Sequence, residues 1–146
     1  MIVRKATEAD LNEYVTLAET FHAASPIDGV VKFDREGYGQ FYLSSLQNEN
    51  IGIWLAEIDN VIVGICGAIA YPLYFNPNSL VVQELWWWLT PESRGSGAGA
   101  AMFKQIEAWA KERNASALFM IALEDERATK MEKLYVRAGF KPMERT

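Results

Sequence analysis

The chain has 146 residues, 50% of them hydrophobic and 23% charged, with a formal net charge of −5 at neutral pH. That length suits one domain over residues 1–146 with a single core, and the acidic balance argues against a nucleic-acid-binding surface, which needs a basic footprint. One cysteine and one histidine exclude an internal disulfide and leave only carboxylates to complete a metal shell, so no metal is expected.

The opening MIVRKATEADL lacks the basic start and continuous apolar core of a secretion signal, and a cytoplasmic protein is expected. Residues 2–5 read as a first strand. Thr7 then reads as a helix N-cap with Asp10 three residues on, a variant of the capping box. Leu11, Tyr14, Val15, Ala18, Phe21 and His22 fall on one helical face, and SPIDG (25–29) ends that helix. A second helix is predicted from near Asp34, carrying Phe41, Tyr42, Leu43 and Leu46 despite Gly37 and Gly39.

Strands are predicted at 51–58 and 61–71, joined by Asp59-Asn60, a pair suited to a tight hairpin turn. The apolar run from 61 to 74 is broken by Gly64, Gly67 and Pro72 and is too short to cross a membrane. Cys66 inside it reads as a buried, inert thiol. PLYFNPNS (72–79) reads as a loop before a strand over 80–89 that contains three consecutive tryptophans. Met102, Phe103, Ile106, Trp109 and Ala110 form the apolar stripe of the next helix, with Lys104, Glu107, Lys111 and Glu112 opposite. A strand over 117–123 and a helix over 127–138 follow, with Gly139 positioned as its left-handed C-terminal residue. This order predicts an α+β (mixed α/β) domain: an antiparallel meander, then a β-α-β crossover.

The junction over 90–101 combines a strand end, Arg94, alternating Gly95, Gly97 and Gly99, and a helix start. Unpaired backbone N–H groups and the helix dipole favour an anion there, and the glycines let it approach the backbone closely. A Walker loop would need Gly-Lys-Ser/Thr where Ala98-Gly99-Ala100 stands. A Rossmann fingerprint would need the glycines after the first strand of a βαβ unit.

TPESRGSGAGAAMFKQIEAWA (90–110) resembles motif A of the GNAT N-acetyltransferases, Arg/Gln-x-x-Gly-x-Gly/Ala, with Arg94, Gly97 and Gly99 at the three fixed positions. Leu89-x-Pro91 resembles the segment that precedes this motif. LYVRAGF (134–140) is similar to the family's Leu-Tyr-x-x-x-Gly-Phe. The resemblance covers essentially the whole chain. It implies a mixed sheet of about six strands flanked by about four helices. It also implies transfer of an acetyl group from acetyl-CoA to a primary amine by direct attack in a ternary complex.

On that resemblance, Arg94, Gly95, Ser96, Gly97, Ala98 and Gly99 would cradle the pyrophosphate. The strand end at Trp88 and Leu89 would hold the thioester and supply a backbone donor to its oxygen. A protonated amine needs a base, and Glu84, a carboxylate in a strand of leucine and tryptophan, is the candidate. A one-residue bulge would exchange it with Gln83. Tyr135 matches the family's catalytic tyrosine and is the candidate acid for the thiolate. His22, Tyr71, Tyr74, Phe75 and Trp86 are candidate contacts to the acceptor, with Trp86 and Trp88 expected on one sheet face and Trp87 on the other. The acceptor would be an amine-bearing small molecule or a protein amine, and family members often form homodimers. Ala128 departs from the family's cofactor-contacting Asn, leaving Arg127, Thr129 or Lys130 to line the cofactor mouth. A CoA-binding or protein-interaction module of the same fold, or use of another acyl-CoA, are the alternative readings.

Overall fold

In a computed structural model, residues 1–121 are described. The strands are β1 (Ile2–Lys5), β2 (Ile51–Ile58), β3 (Val61–Leu73), β4 (Asn76–Leu89) and β5 (Ala117–Phe119), and the helices are α1 (Leu11–Ala24), α2 (Arg35–Leu46) and α3 (Ala98–Glu112). The sheet order is β1-β2-β3-β4-β5. The first four strands pair antiparallel, and α3 carries the chain across to β5, which pairs parallel with β4. This is the expected mixed α+β class. The expected helix over 127–138 and a closing strand lie outside the described residues.

Local chemistry sets the boundaries. The Asp10 carboxylate accepts from the Thr7 N–H at 2.8 Å, the reciprocal half of the predicted capping box. Before α1 comes a single 3₁₀ turn, Glu8–Asp10. Both Asp10 oxygens also accept from the Arg4 guanidinium at 2.9 Å. Arg4 in turn reaches Glu57 on β2, so one cation ties β1, β2 and the start of α1 together. Pairing with Arg4 holds the Asp10 carboxyl below the usual range. Asp34 caps α2 by accepting from the Gly37 N–H at 3.0 Å. Asp59 and Asn60 both have positive φ, 52° and 65°, as a tight β2–β3 hairpin demands.

One expected loop is strand instead. β3 runs on to Leu73 and β4 begins at Asn76, so the 72–79 segment forms a long hairpin with Tyr74 and Phe75 at its tip. Pro72 is compatible with this because β2 pairing ends at Ile51↔Ile69. Beyond that point the β2-facing edge of β3 has no ladder to interrupt. A register shift at Pro72/Leu73 absorbs the additional residues of β4. β5 is shorter than expected and ends at Phe119.

The sheet carries a core on each face. On one side Trp54, Cys66, Ala68 and Val82 pack under Met102, Ile106 and Trp109 of α3. On the other, Ile53, Leu55, Ile65 and Trp88 pack under Tyr14, Ala18 and Tyr42 of α1 and α2. Tyr14 is fully buried, and its hydroxyl links four elements. It shares its proton between the carbonyls of Trp54 (3.1 Å) and Cys66 (3.0 Å) and accepts from the Trp86 indole N–H at 2.8 Å. Tyr14→Phe is therefore expected to cost about 1–3 kcal/mol, because it strands the buried Trp86 indole N–H. Urea unfolding would measure it, and a loss within error would show that these bonds are replaced by others.

Candidate active site

The tryptophan strand contains a bulge. Gly67 pairs with Trp86 and Ala68 with Glu84, so Leu85 is an additional residue with no partner of its own. Before it, Val82 faces α3; after it, Trp87 does. Trp86 and Trp88 point to the α1/α2 face, so the expected division of the three indoles is observed. Trp88 stacks on Phe21 with centroids 5.8 Å apart. Trp87 contacts Phe103 and donates to the Gly99 carbonyl at 3.1 Å.

The bulge falls after both polar residues, so Gln83 and Glu84 keep opposite faces. Gln83 pairs with Ile69, itself opposite Ile51 in the α1/α2-side core, and accepts from the Tyr71 hydroxyl at 2.8 Å. Glu84 pairs with Ala68 in the α3-side core and is only 5% exposed. Burial pushes its carboxyl up to about 8, opposed by a hydrogen bond from the Ile121 backbone N–H. Burial of the Cys66 thiol, and secondarily the charge of Glu84, push that thiol well above the usual range, which fits the inert thiol expected there.

Two features converge beside Glu84. β5 pairs with β4 only at Val81, Val82 and Gln83. Among the described residues no strand pairs with the outer edge of β4 from Glu84 to Leu89. At the end of that edge lies the glycine junction. Gly95 and Gly97 have φ of 89° and 91°, and a Cβ at either would meet no atom within 4 Å. No side chain among the described residues fills the space over them. Ala98 donates to Ser96 Oγ at 3.3 Å and Ala101 to the Gly97 carbonyl. The N–H groups of Gly95, Gly97, Gly99 and Ala100 find no acceptor among the described residues, and the last two belong to the first turn of a 15-residue helix. This is an anion cradle by geometry and by dipole. Arg94 anchors the cradle to the strand, its Nε donating to the Leu89 carbonyl at 3.2 Å and its guanidinium 5.9 Å from the Trp88 ring centroid.

The remaining candidates spread over the α1/α2 face. His22 Nδ1 lies 3.2 Å from Asp28, its ring is against Phe33, and Nε2 is buried with no hydrogen-bond partner among the described residues. Tyr71 reaches the site through Gln83. Tyr74 and Phe75, both 79% exposed, pack on each other at the hairpin tip. Some eight strand residues, roughly 26 Å, separate that tip from Glu84. Trp86 sits at the bulge, its ring over Gly67, where a Cβ would come within 2.6 Å of the indole. Tyr135 lies outside the described residues, as do Arg127, Ala128, Thr129 and Lys130. Sequence reasoning missed Tyr38, whose ring touches Phe33, Phe41 and Trp86. Its position one helical turn before Tyr42 was the available signal. Among the described residues no cluster of three or more His, Cys, Asp or Glu side chains could hold a metal. None of their helices is long and apolar enough to cross a membrane.

Known proteins share this arrangement. The model of the acetyltransferase (GNAT) family matches residues 14–140. An uncharacterized N-acetyltransferase of Archaeoglobus fulgidus is 28% identical over 117 residues, 78% of this chain and 76% of that one. Two solved structures share the fold. One is a predicted acetyltransferase of Clostridium acetobutylicum with acetyl-CoA (TM-score 0.79, 21% identity, 99% of this chain and 92% of that one). The other is an aminoglycoside 6'-N-acetyltransferase of Acinetobacter haemolyticus (TM-score 0.77, 19% identity, 100% and 94%).

The raised Glu84 carboxyl carries a pH signature. The folded chain keeps a proton up to about pH 8 that the unfolded chain releases near its ordinary value. Stability should therefore fall between about pH 5 and 8, by up to about 1.4 kcal/mol per pH unit. Glu84→Gln should flatten that decline and be the more stable protein at pH 8. Chemical denaturation at several pH values would measure this, and parallel profiles for the two proteins would refute the buried-carboxyl assignment.

Proposed function

The chain belongs to the acetyltransferase (GNAT) family as an acyl-CoA-dependent N-acetyltransferase, and we propose that it moves an acetyl group from acetyl-CoA to a primary amine by direct attack. The observation that carries this reading is the row of N–H groups at Gly95, Gly97, Gly99 and Ala100 that have no acceptor among the described residues, with open space over Gly95 and Gly97. A pyrophosphate matches that row in charge and in its need for donors. The stretch of β4 from Glu84 to Leu89, beyond its pairing with β5, is the length over which the amide-bearing arm between pyrophosphate and thioester would lie. The residues present therefore fit the cosubstrate.

Each step then has a residue. In the attack, the amine nitrogen bonds to the acyl carbon and the carbon–sulfur bond breaks. The amine must lose a proton, and the ionised form of Glu84 takes it directly or through water; with the carboxyl pushed up to about 8, the rate should rise as the pH climbs through that value. The backbone N–H of Trp88 or Leu89 donates to the carbonyl oxygen as it gains charge. Tyr135 returns a proton to the departing thiolate, a role that rests on its motif. Positioning of amine and thioester by the packed tryptophan strand supplies much of the remaining acceleration. A cytoplasmic setting, where acetyl-CoA is made and used, is consistent with this chemistry.

Two measurements test the proposal. Acetyl-CoA should raise the melting temperature, and Gly97→Ala should lose most of that rise while costing only about 1 kcal/mol of intrinsic stability from its positive φ. An undiminished rise in the variant would contradict the cradle. Release of free thiol should depend on an added amine. Glu84→Gln and Tyr135→Phe should each lower kcat by at least about tenfold with the acetyl-CoA thermal shift retained. Unchanged turnover in either variant would remove that residue from the mechanism.

A further inference from the structure

β4 and β5 part at a defined residue, and a polar side chain stands at that point. Their parallel ladder runs through Val81↔Ala117, Val82↔Leu118 and Gln83↔Phe119 and then stops, while β4 continues to Leu89. The next residue of β4 is Glu84. Two residues beyond Phe119 is Ile121, whose backbone N–H donates to the Glu84 carboxyl. A side chain thus takes over the link between the strands where the backbone ladder ends. Paired backbones are held about 4.8 Å apart, and a link through a side chain releases them from that spacing. The bulge follows at once: Leu85 has no partner on β3, so β4 bends just where β5 leaves it.

The surroundings make this bond a strong requirement. Glu84 is buried on a face whose described members are apolar, with Ala68 opposite it on β3 and Cys66 and Val82 in the same core. A carboxyl placed there is costly unless its oxygens find donors, and the Ile121 N–H is one. Accepting that bond needs only an oxygen lone pair, which a neutral acid, a carboxylate and a carboxamide all supply. Taking a proton from an amine needs the carboxylate. The two tasks of this one residue are therefore separable by substitution.

We propose that Glu84 is a positioning residue as well as the base: its bond from Ile121 ends the β4–β5 ladder and sets the separation of the two strands beside the thioester arm. Without that bond the Ile121 N–H needs another acceptor. The next β4 carbonyls would supply it, lengthening the ladder and closing the strands on the space the arm needs. The inference rests on the acyl-transfer reading above and gives its site a device that holds it open.

Four variants test it. Glu84→Gln keeps an acceptor and loses the base, whereas Glu84→Met, of similar length, loses both. Ile121→Pro removes the donor at an exposed position and keeps the carboxyl, and Ile121→Ala keeps the donor. The Kd for CoA, measured by calorimetry, should stay within about twofold of wild type in Glu84→Gln and Ile121→Ala. It should rise at least about fivefold in Glu84→Met and in Ile121→Pro. Combining Glu84→Met with Ile121→Pro should add no further loss, because both remove the same bond. In the unliganded protein the Ile121 amide proton resonance should move in Glu84→Met and stay near its wild-type position in Glu84→Gln. Wild-type affinity in Glu84→Met or Ile121→Pro overturns the inference, as does an equal loss in Glu84→Gln or an additive loss in the double variant. Should Glu84→Met not fold, the comparison of Ile121→Pro with Ile121→Ala decides alone. No binding of CoA by the wild type would remove the acyltransferase reading itself, whereas binding that none of the variants weakens removes only the positioning role.

Discussion

A strand packed on both faces alternates its side chains, and one unpaired residue reverses the alternation from that point on. In β4 the unpaired residue is Leu85. Because it falls there, Val82 and Trp87, five residues apart, both face α3, while Trp86 and Trp88 turn to α1 and α2. Without it, either Val82 or Trp87 would leave the α3-side core. The bulge also puts Glu84 and Trp86 on opposite faces of the sheet although they are two residues apart. A buried acid and an aromatic platform thus flank one point of the backbone without touching each other.

The same strand joins two kinds of order. Up to Leu89 it is held by bulk, with each indole fixed by a ring contact or a hydrogen bond. Beyond Thr90 side chains thin out, and two left-handed glycines turn bare N–H groups toward open space. Arg94 spans the two regimes through its bond to the Leu89 carbonyl. Rigidity on one side and lack of side chains on the other suit a ligand with a reactive end to be placed and a charged end to be bound. Glu84 adds the third element, a carboxyl whose burial near the parting of β4 and β5 keeps it protonated at neutral pH.

Local features were legible from sequence because their signals are local. The Thr7–Asp10 cap, the Asp59-Asn60 turn, the stripe of α3 and the glycine junction each depend on residues within a few positions of one another. The strand over 76–79 was not legible. Pro72 reads as a breaker, and only the end of β2 at Ile51 makes it harmless. The position of the bulge depends on the pairing of Gly67 and Ala68 with β4, a contact nearly twenty residues distant. Whether Gln83 or Glu84 faces the aromatic side was therefore open until the register was known. The Tyr14 hydroxyl bond to Trp86, 72 residues away, has no sequence signal at all. Tyr14 reads equally well as an ordinary apolar-face residue.

The central claim is that the bulged tryptophan strand and the glycine junction together form one acyl-CoA site. Backbone amide resonances followed through a titration with acetyl-CoA test it most directly. The amides of Gly95, Gly97, Gly99 and Ala100 should move as one group, and those of Leu85 to Leu89 should move with them at the same ligand concentration. Saturable binding that leaves both groups of amides unmoved would contradict the account.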